Sequence, residues 1–288
     1  MRYYFMRYPG GKAKAVTFSY DDGLKTDIRL LERLNHYGIK ATLNINNSFI
    51  GRTSGKPKLT QEDIQTYILD AGHEVAVHGD NHRAPGILRS VDIIRDVLDC
   101  RLGLEKRFGR IVKGMAYPDS GVRIFQGGMT YQQVRQCLQD VGIVYARSLS
   151  GDNTLFRMPE DWYAWNPSAH HANPNVVSYA EEFVAIDFSK LSSAWRYPRL
   201  FYLWGHSYEF DNNNNWELLD TLGQILGGKE DTWYATNMEI YEYTKAYESL
   251  ETSADGTIIY NPTLRKIWFE IDGKPYEIEP GQTLKIEA

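Results

Sequence analysis

Thr17-Phe18-Ser19-Tyr20-Asp21-Asp22-Gly23 sets an apolar strand directly against two adjacent carboxylates and a glycine. Ala13 to Phe18 is short, apolar and partly β-branched, which reads as a buried strand. Gly23 permits a sharp turn at its end. Two neighbouring acids repel, so one stays neutral or a cation sits between them. The bland alternative is a solvated Asp-Asp-Gly turn.

Downstream the chain alternates between helix and strand. A helix is expected from about Thr26 to His36, with Gly38 ending it, then a strand over Ile39 to Ile45. Thr60-Gln61-Glu62-Asp63 has the form of a capping box. Glu74 to Val77 is the next strand and ends on His78. Ser90 caps a helix, Ile111 to Ala116 is a strand, Thr130 opens a helix, and Ile143 to Ala146 is a strand. Ser148 to Pro174 is polar and aromatic and has no assigned element. Helices near Ser178 to Phe183, Trp216 to Leu226 and Met238 to Ser249 flank strands at Leu200 to Trp204 and Thr232 to Thr236. Such alternation argues for a parallel sheet covered by helices, here a distorted (β/α)7-type barrel over residues 1–250. No Gly-x-Gly-x-x-Gly turn follows the first strand, which leaves a dinucleotide fold unsupported. After about residue 252 the runs are short and alternating, and Asp272-Gly273 is a hairpin signal. Residues 251–288 read as a small antiparallel β appendage packed on the barrel.

Composition narrows the function classes. The chain has 288 residues and a net charge of -5, so there is no basic footprint for nucleic acid. Cys100 and Cys137 lie in expected helices and read as buried thiols rather than a disulfide framework. No stretch approaches the roughly 18 apolar residues of a membrane span. As it stands the sequence reads as cytoplasmic; a trimmed secretion signal would leave the same appearance.

In a parallel barrel the reactive groups collect at the carboxyl ends of the strands. Here those ends carry Asp21-Asp22, His78, Tyr117-Pro118 and His206. His78 and His82 are four residues apart, a spacing that on a helical turn puts both rings on one side. With one carboxylate they form a two-His-one-carboxylate set that suits a catalytic divalent metal, commonly zinc. Asp22 is then the metal ligand and Asp21 the general base for an attacking water. His206 is the candidate acid for the leaving group.

These residues resemble the polysaccharide deacetylase family, carbohydrate esterases with the NodB homology domain, in element order over about residues 13 to 245. The family's Thr-Phe-Asp-Asp-Gly string is similar to Ser19-Tyr20-Asp21-Asp22-Gly23. The resemblance implies Asp21 as base and Asp22 as metal ligand. His-Ser/Thr-x-x-His is similar to His78 to His82, with Gly79 where the hydroxyl residue stands. The Arg-x-Pro-Tyr type wall is partly kept in Met115 to Gly121 but lacks its arginine, which orients the base; Arg147, at the next strand's end, is the candidate substitute. Asp161-Trp162 is the candidate fourth motif. Trp204-Gly205-His206 is similar to the closing Leu-x-His.

The resemblance implies a zinc-type metal, an acetylated carbohydrate substrate and removal of its acetyl group, N-acetyl ahead of O-acetyl. The expected oxyanion donors are the metal and the backbone N–H of Tyr117. Tyr117, Pro118, Trp162 and Trp204 are the expected substrate wall, although burial in the core is an equal reading for the tryptophans. Asp80 is expected to orient an imidazole. His170-His171 reads as a site wall, His36 and His73 as structural, and Asn237 as a helix cap. Two rivals remain at this level: a hydrolase of cyclic amides on the same scaffold, and a non-catalytic carbohydrate-binding relative.

Overall fold

The structure is a computed structural model that describes residues 1–149, 152 and 155–287. Strand β1 (Tyr4–Arg7) stands apart from β2 (Lys14–Asp21), about which the main sheet forms. Then come β3 (Ala41–Ile45), β4 (Glu74–Val77), β5 (Gly114–Ala116), β6 (Tyr145–Arg147), β7 (Ala169–His170), β8 (Arg199–Gly205) and β9 (Thr232–Tyr234). The spatial order is β6-β5-β4-β3-β2-β8-β7, and every pairing in it is parallel. β9 adds to β2 at Lys14 to Val16, and β3 takes over that edge at Phe18 to Asp21. The curl ends with β6 and β7 facing each other. A bridge from Arg147 to Trp165 spans the gap, with the Trp165 N–H donating to Ala146 O at 3.1 Å. This is the distorted (β/α)7-type barrel expected from the alternation.

Every residue of β2 is buried, and its period of two divides the chemistry. Val16, Phe18 and Tyr20 join the large core under the helices. Ala15, Thr17, Ser19 and Asp21 face the other way. Thr17 meets Asn237 and Ser19 meets Asn44, so this face is lined with small polar groups. The same alternation that fills the outer core therefore delivers Asp21 to the barrel mouth. The outer layer is α1 (Thr26–His36), α2 (Gln61–Asp63, continuing as a π-turn over Ile64–Leu69), α3 (Ser90–Phe108), α4 (Tyr131–Asp140), α5 (Val176–Ala185), α6 (Tyr208–Asn212), α7 (Glu217–Leu226) and α8 (Asn237–Glu248).

Several local expectations change. Thr60 and Thr130 do close capping boxes, with Asp63 and Gln133. Ser90 is the first residue of its helix, and Arg89 stands at the cap. Thr236 caps α8 with Glu239, and Asn237 is instead buried, donating to the Tyr202 hydroxyl. The unassigned stretch contains β7, two residues long and so without a periodic signal. His73 is structural as read: its Nδ1 accepts from Ala41 N and its Nε2 meets Asn35.

The appendage forms two three-stranded antiparallel sheets from β10 (Glu251–Thr252), β11 (Ile258–Tyr260), β12 (Ile267–Ile271), β13 (Lys274–Ile278) and β14 (Thr283–Lys285). Asp272 and Gly273 both take positive φ in the expected hairpin turn. One sheet recruits β1, in register from Tyr4 opposite Ile271 to Arg7 opposite Trp268. The first strand thus belongs with the appendage, although the sequence reading places it in the barrel. Among the described residues no helix is long and apolar enough to cross a membrane.

Candidate active site

Asp21 and Asp22 leave the end of β2 in opposite senses. Asp21 is fully buried, and its two oxygens have separate partners. Oδ1 accepts from Asn44 Nδ2 at 2.8 Å, and Oδ2 accepts from Arg147 Nη2 at 2.5 Å. Burial pushes this carboxyl up, but the Arg147 guanidinium, with His78 and His206 behind it, holds it below its ordinary value. Asp21 is thus an ionised carboxylate in a dry position. Arg147, at the end of β6, occupies the place expected of the missing motif arginine. Its Nε and Nη1 have no hydrogen-bond partner among the described residues, and its guanidinium lies 4.2 Å from the centre of the Trp204 ring.

Asp22 has a φ of 80°, and the loop from His78 to His82 repeats the strain, with His82 at 54°. Non-glycine residues sit there only when their surroundings impose it, a pattern common at functional sites. Asp22 Oδ1 lies 3.3 Å from His82 Nε2 and 3.9 Å from His78 Nε2. His78 Nδ1 donates to Ala116 O at 3.0 Å; a carbonyl only accepts, so Nδ1 carries the proton and Nε2 keeps its lone pair. One ligating atom each from Asp22, His78 and His82 falls within 4.8 Å of the others. The donor set fits a divalent cation: two imidazoles and one carboxylate, one imidazole fixed in the ligating tautomer by a carbonyl.

The loop that bears the two histidines is not a helical turn, contrary to the spacing argument. It runs irregularly through Gly79 at φ 70°, and the rings still meet edge to face at 4.9 Å. Its bracing comes from outside. Asn46 Nδ2 donates to His78 O and Gly79 O, at 2.6 and 2.8 Å. Asp96 on α3 accepts from Asn81 N and Nδ2, at 2.8 and 2.9 Å, and its carboxylate fills the space where a side chain at 79 would lie. Gly79 leaves the room that the Asp96 carboxylate occupies, so the glycine and the aspartate are two sides of one arrangement. Asp80 touches no imidazole: it accepts from Ser48 N and Asn47 Nδ2, which corrects its expected role.

His206, after β8, points Nε2 at Asp21 Oδ2 across 3.9 Å. Its Nδ1 lies 3.3 Å from Glu209 Oε1, one helical turn on. Glu209 is a hub. His170 Nε2 lies 3.2 Å from its Oε2, and His171 Nε2 lies 2.9 Å from the same oxygen though off the line of a good hydrogen bond. Burial alone would drive the Glu209 carboxyl up; the three histidines hold it far below its ordinary value. Burial likewise disfavours charge on His206, but Glu209 and Asp21 outweigh it and raise its pKa. The turn beneath is tied to the start of α1, where Asp27 accepts from Ser207 Oγ at 2.5 Å and from Leu24 N at 2.8 Å. Burial pushes Asp27 up to about 7.

His170, His206 and Glu209 also place ligating atoms within 4.8 Å of one another. A backbone donor argues against a cation there: Ala172 N–H donates to His170 Nδ1 at 3.1 Å, so the ring's proton sits on Nε2, facing Glu209.

Asp21, Asp22, His78, His82, Arg147 and His206 are therefore brought together, with Trp204 edge-on to His170 beside them. Pro118 is buried near Gly79. The Tyr117 N–H is not available to an oxyanion, because it donates to Arg147 O at 3.1 Å in the β5–β6 ladder. Trp162 is not at the site either. It is buried in the second core cluster, edge-on to Trp165 and Tyr241. Asp161, the other half of the candidate fourth motif, accepts from Tyr131 and pairs with Arg135. Glu209, Asn44 and Asp96 were not singled out in the sequence. His206-x-x-Glu209 at helical spacing, and a lone Asn inside a buried strand, were the available signals.

The family model for polysaccharide deacetylase matches residues 8–146. That span holds Asp21, Asp22, His78 and His82 and stops before Arg147 and His206. No curated protein matches the chain by sequence. Among solved structures, a putative polysaccharide deacetylase from Mycobacterium smegmatis superposes with a TM-score of 0.53 at 16% identity, covering 84% of this chain and 93% of that one. The Xyl-CE4 domain of a multidomain xylanase from the hindgut metagenome of Trinervitermes trinervoides superposes with a TM-score of 0.50 at 15% identity, covering 82% and 92%. The Streptococcus pyogenes deacetylase PplD, solved with acetate, has a TM-score of 0.43 at 15% identity; 51% of this chain covers 61% of its length. The first two establish a shared fold.

Proposed function

We propose, taking residues 8–146 as a polysaccharide deacetylase match, that the chain is a metal-dependent hydrolase that removes acetyl groups from a carbohydrate, N-acetyl in preference to O-acetyl. The observation that carries this reading is the division of the two neighbouring acids. Asp21 is clamped by Arg147 and Asn44; its Oδ2 is 3.9 Å from His78 Nε2, but it is Asp22 that faces both imidazoles and whose oxygen groups with theirs.

Asp22, His78 and His82 would hold the cation. When bound it supplies Lewis acidity toward the acetyl carbonyl and makes a nearby water acidic, toward a pKa of ~7. Asp21 accepts the proton that the attacking water loses. Arg147 keeps that carboxylate ionised and aimed, and Asn44 fixes its other oxygen. His206, protonated through its contact with Glu209, gives a proton from Nε2 to the departing nitrogen. An amine leaving group needs that proton more than an alkoxide does at neutral pH, which favours the N-acetyl case.

The test is acetate release from a panel of acetylated saccharides, with Asp21→Asn beside the parent protein. The variant should retain its metal by elemental analysis and lose turnover by about 10²-fold or more. Undiminished turnover in it would remove Asp21 as the base, and cleavage of cyclic ureides with no acetate from any saccharide would move the chain to the rival hydrolase class.

A further inference from the structure

The loop after β3, which carries Arg52, Lys56 and Lys58, meets the site at two points, Lys58 against Asp22 and Lys56 against Tyr208 beside His206. The chain as a whole is acidic, at -5, so three cations on one loop are a local reversal of sign. Each is held in place. Lys58 is partly buried, and its Nζ donates to the Asp22 carbonyl at 2.8 Å. Lys56 Nζ lies over the Tyr208 ring, 2.9 Å from its centre, and that ring is 5.3 Å from the His206 ring. The Arg52 guanidinium lies 4.1 Å from the centre of the Phe49 ring. The loop itself is pinned: Lys58 N donates to Arg52 O, Gly51 N to Leu59 O, Leu59 N to Gly23 O and Lys25 N to Pro57 O, all at 2.8 to 2.9 Å.

None of these three cations forms an ion pair among the described residues. Cations close by on α1 and before it do: Lys25 with Asp63, Arg29 with Asp211 and Arg33 with Asp220. The carboxylates of the site are already committed, Asp21 to Arg147, Asp22 to two histidines and Glu209 to three. A free surface lysine ordinarily extends into water and loses little by it. These are instead laid along aromatic rings and a backbone carbonyl, so the entropy of ordering them is spent before any ligand arrives.

We propose that the substrate is an anionic acetylated saccharide, carrying a carboxylate or phosphate on or next to the ring that loses its acetyl group, and that Arg52, Lys56 and Lys58 receive that charge. This rests on the deacetylase reading only for the acetyl group; recognition of the anion is separate from it. A sugar whose scissile bond lies at His206 places its neighbouring substituents over Tyr208, against Lys56. Charge of one sign around a concave site also raises the local concentration of the opposite sign, an effect that salt weakens.

Two measurements test the inference. The first is acetate release from a neutral N-acetylglucosamine oligomer, from oligosaccharides bearing N-acetylmuramic or acetylated uronic acid, and from an N-acetylated sugar phosphate. The charged substrates should exceed the neutral one in kcat/KM by about tenfold at low salt, and the ratio should fall toward one in high salt and in the Arg52→Gln, Lys56→Gln double variant. Preference for the carboxylate or the phosphate arm identifies the source of the charge. The second is calorimetric binding of the same saccharides to Asp21→Asn protein, which needs no turnover. Equal affinity for neutral and charged saccharides overturns the inference, as does a preference that the double variant leaves in place. Charged saccharides bound tightly with no acetate released would sink the deacetylase reading and leave this one standing.

Discussion

His206 shows how far a single side chain depends on its neighbours. An imidazole in this much burial should lose its proton early, yet Glu209 on one side and Asp21 on the other raise its pKa. Glu209→Gln keeps the shape and removes the charge. It should cost about 10- to 100-fold in activity while leaving metal content unchanged. The sign of the pH effect follows from the role of general acid proposed for His206. A general acid works only while protonated, so activity fails as pH rises through its pKa. With Glu209 neutral that pKa falls, and the alkaline limb of the rate profile should move to lower pH. A profile that stays in place while the rate drops would make Glu209 merely structural. Residues whose chemistry is written in their type were legible in the sequence: two adjacent acids at a strand end, two histidines four apart, a histidine after the last long strand. Arg147 could be located by its strand end alone. Asp96 could not, and Glu209 and Asn44 left only faint marks, helical spacing from His206 and an amide inside an apolar strand, because a carboxylate or amide acquires such a role only when folding turns it toward a partner. Tyr117 failed for the same reason, since its N–H was taken by the sheet.

Elements were legible where an apolar run followed a capped or periodic helix, even for the three-residue β5, β6 and β9, and illegible where no such frame surrounded them. α1 has the expected bounds and β4 matches residue for residue, whereas the two-residue β7 left no periodic trace. The loop from His78 to His82 is the instructive failure. Four-residue spacing suggested a helical turn, but Gly79 at positive φ and the Asp96 carboxylate hold an irregular path that brings the rings together by another route. Gly79→Ala tests that path. Its Cβ would collide with Asp96, and an alanine at φ 70° is strained by about 1–3 kcal/mol. The loop must move, so zinc affinity should fall by about 10- to 100-fold, read by competition with a chromogenic chelator, together with a lower melting temperature. Unaltered affinity in the variant would mean that the loop is not a fixed template.

At the scale of the molecule, the barrel and the appendage share one buried charge cluster. Glu270 on β12 receives Arg7 Nη2 at 2.8 Å and Arg196 Nε and Nη2 at 2.6 and 2.7 Å. Burial disfavours both charges; on Glu270 the two guanidinium groups outweigh it and lower its pKa, whereas on Arg7 burial wins and lowers its pKa in spite of Glu270. Glu270→Ala would leave two guanidinium groups without their carboxylate, that of Arg7 largely buried, and should lower stability by about 3–5 kcal/mol in chemical denaturation. A loss below about 1 kcal/mol would show that water reaches the cluster. The alternating strands and the Asp-Gly hairpin of the appendage could be read in advance. The enlistment of Tyr4–Arg7 could not, since nothing in a four-residue strand names a partner at the other end of the chain.

That pairing has a consequence for synthesis. Arg7 and Glu270 are 263 residues apart, and a ribosome adds about 5–20 residues each second. The leading strand therefore waits roughly ten to fifty seconds, by that rate, with its hydrogen-bonding edge uncovered while the rest of the polypeptide emerges. It is an open template for a neighbouring nascent chain throughout that interval, and crowded translation is where this protein is most exposed to mispairing.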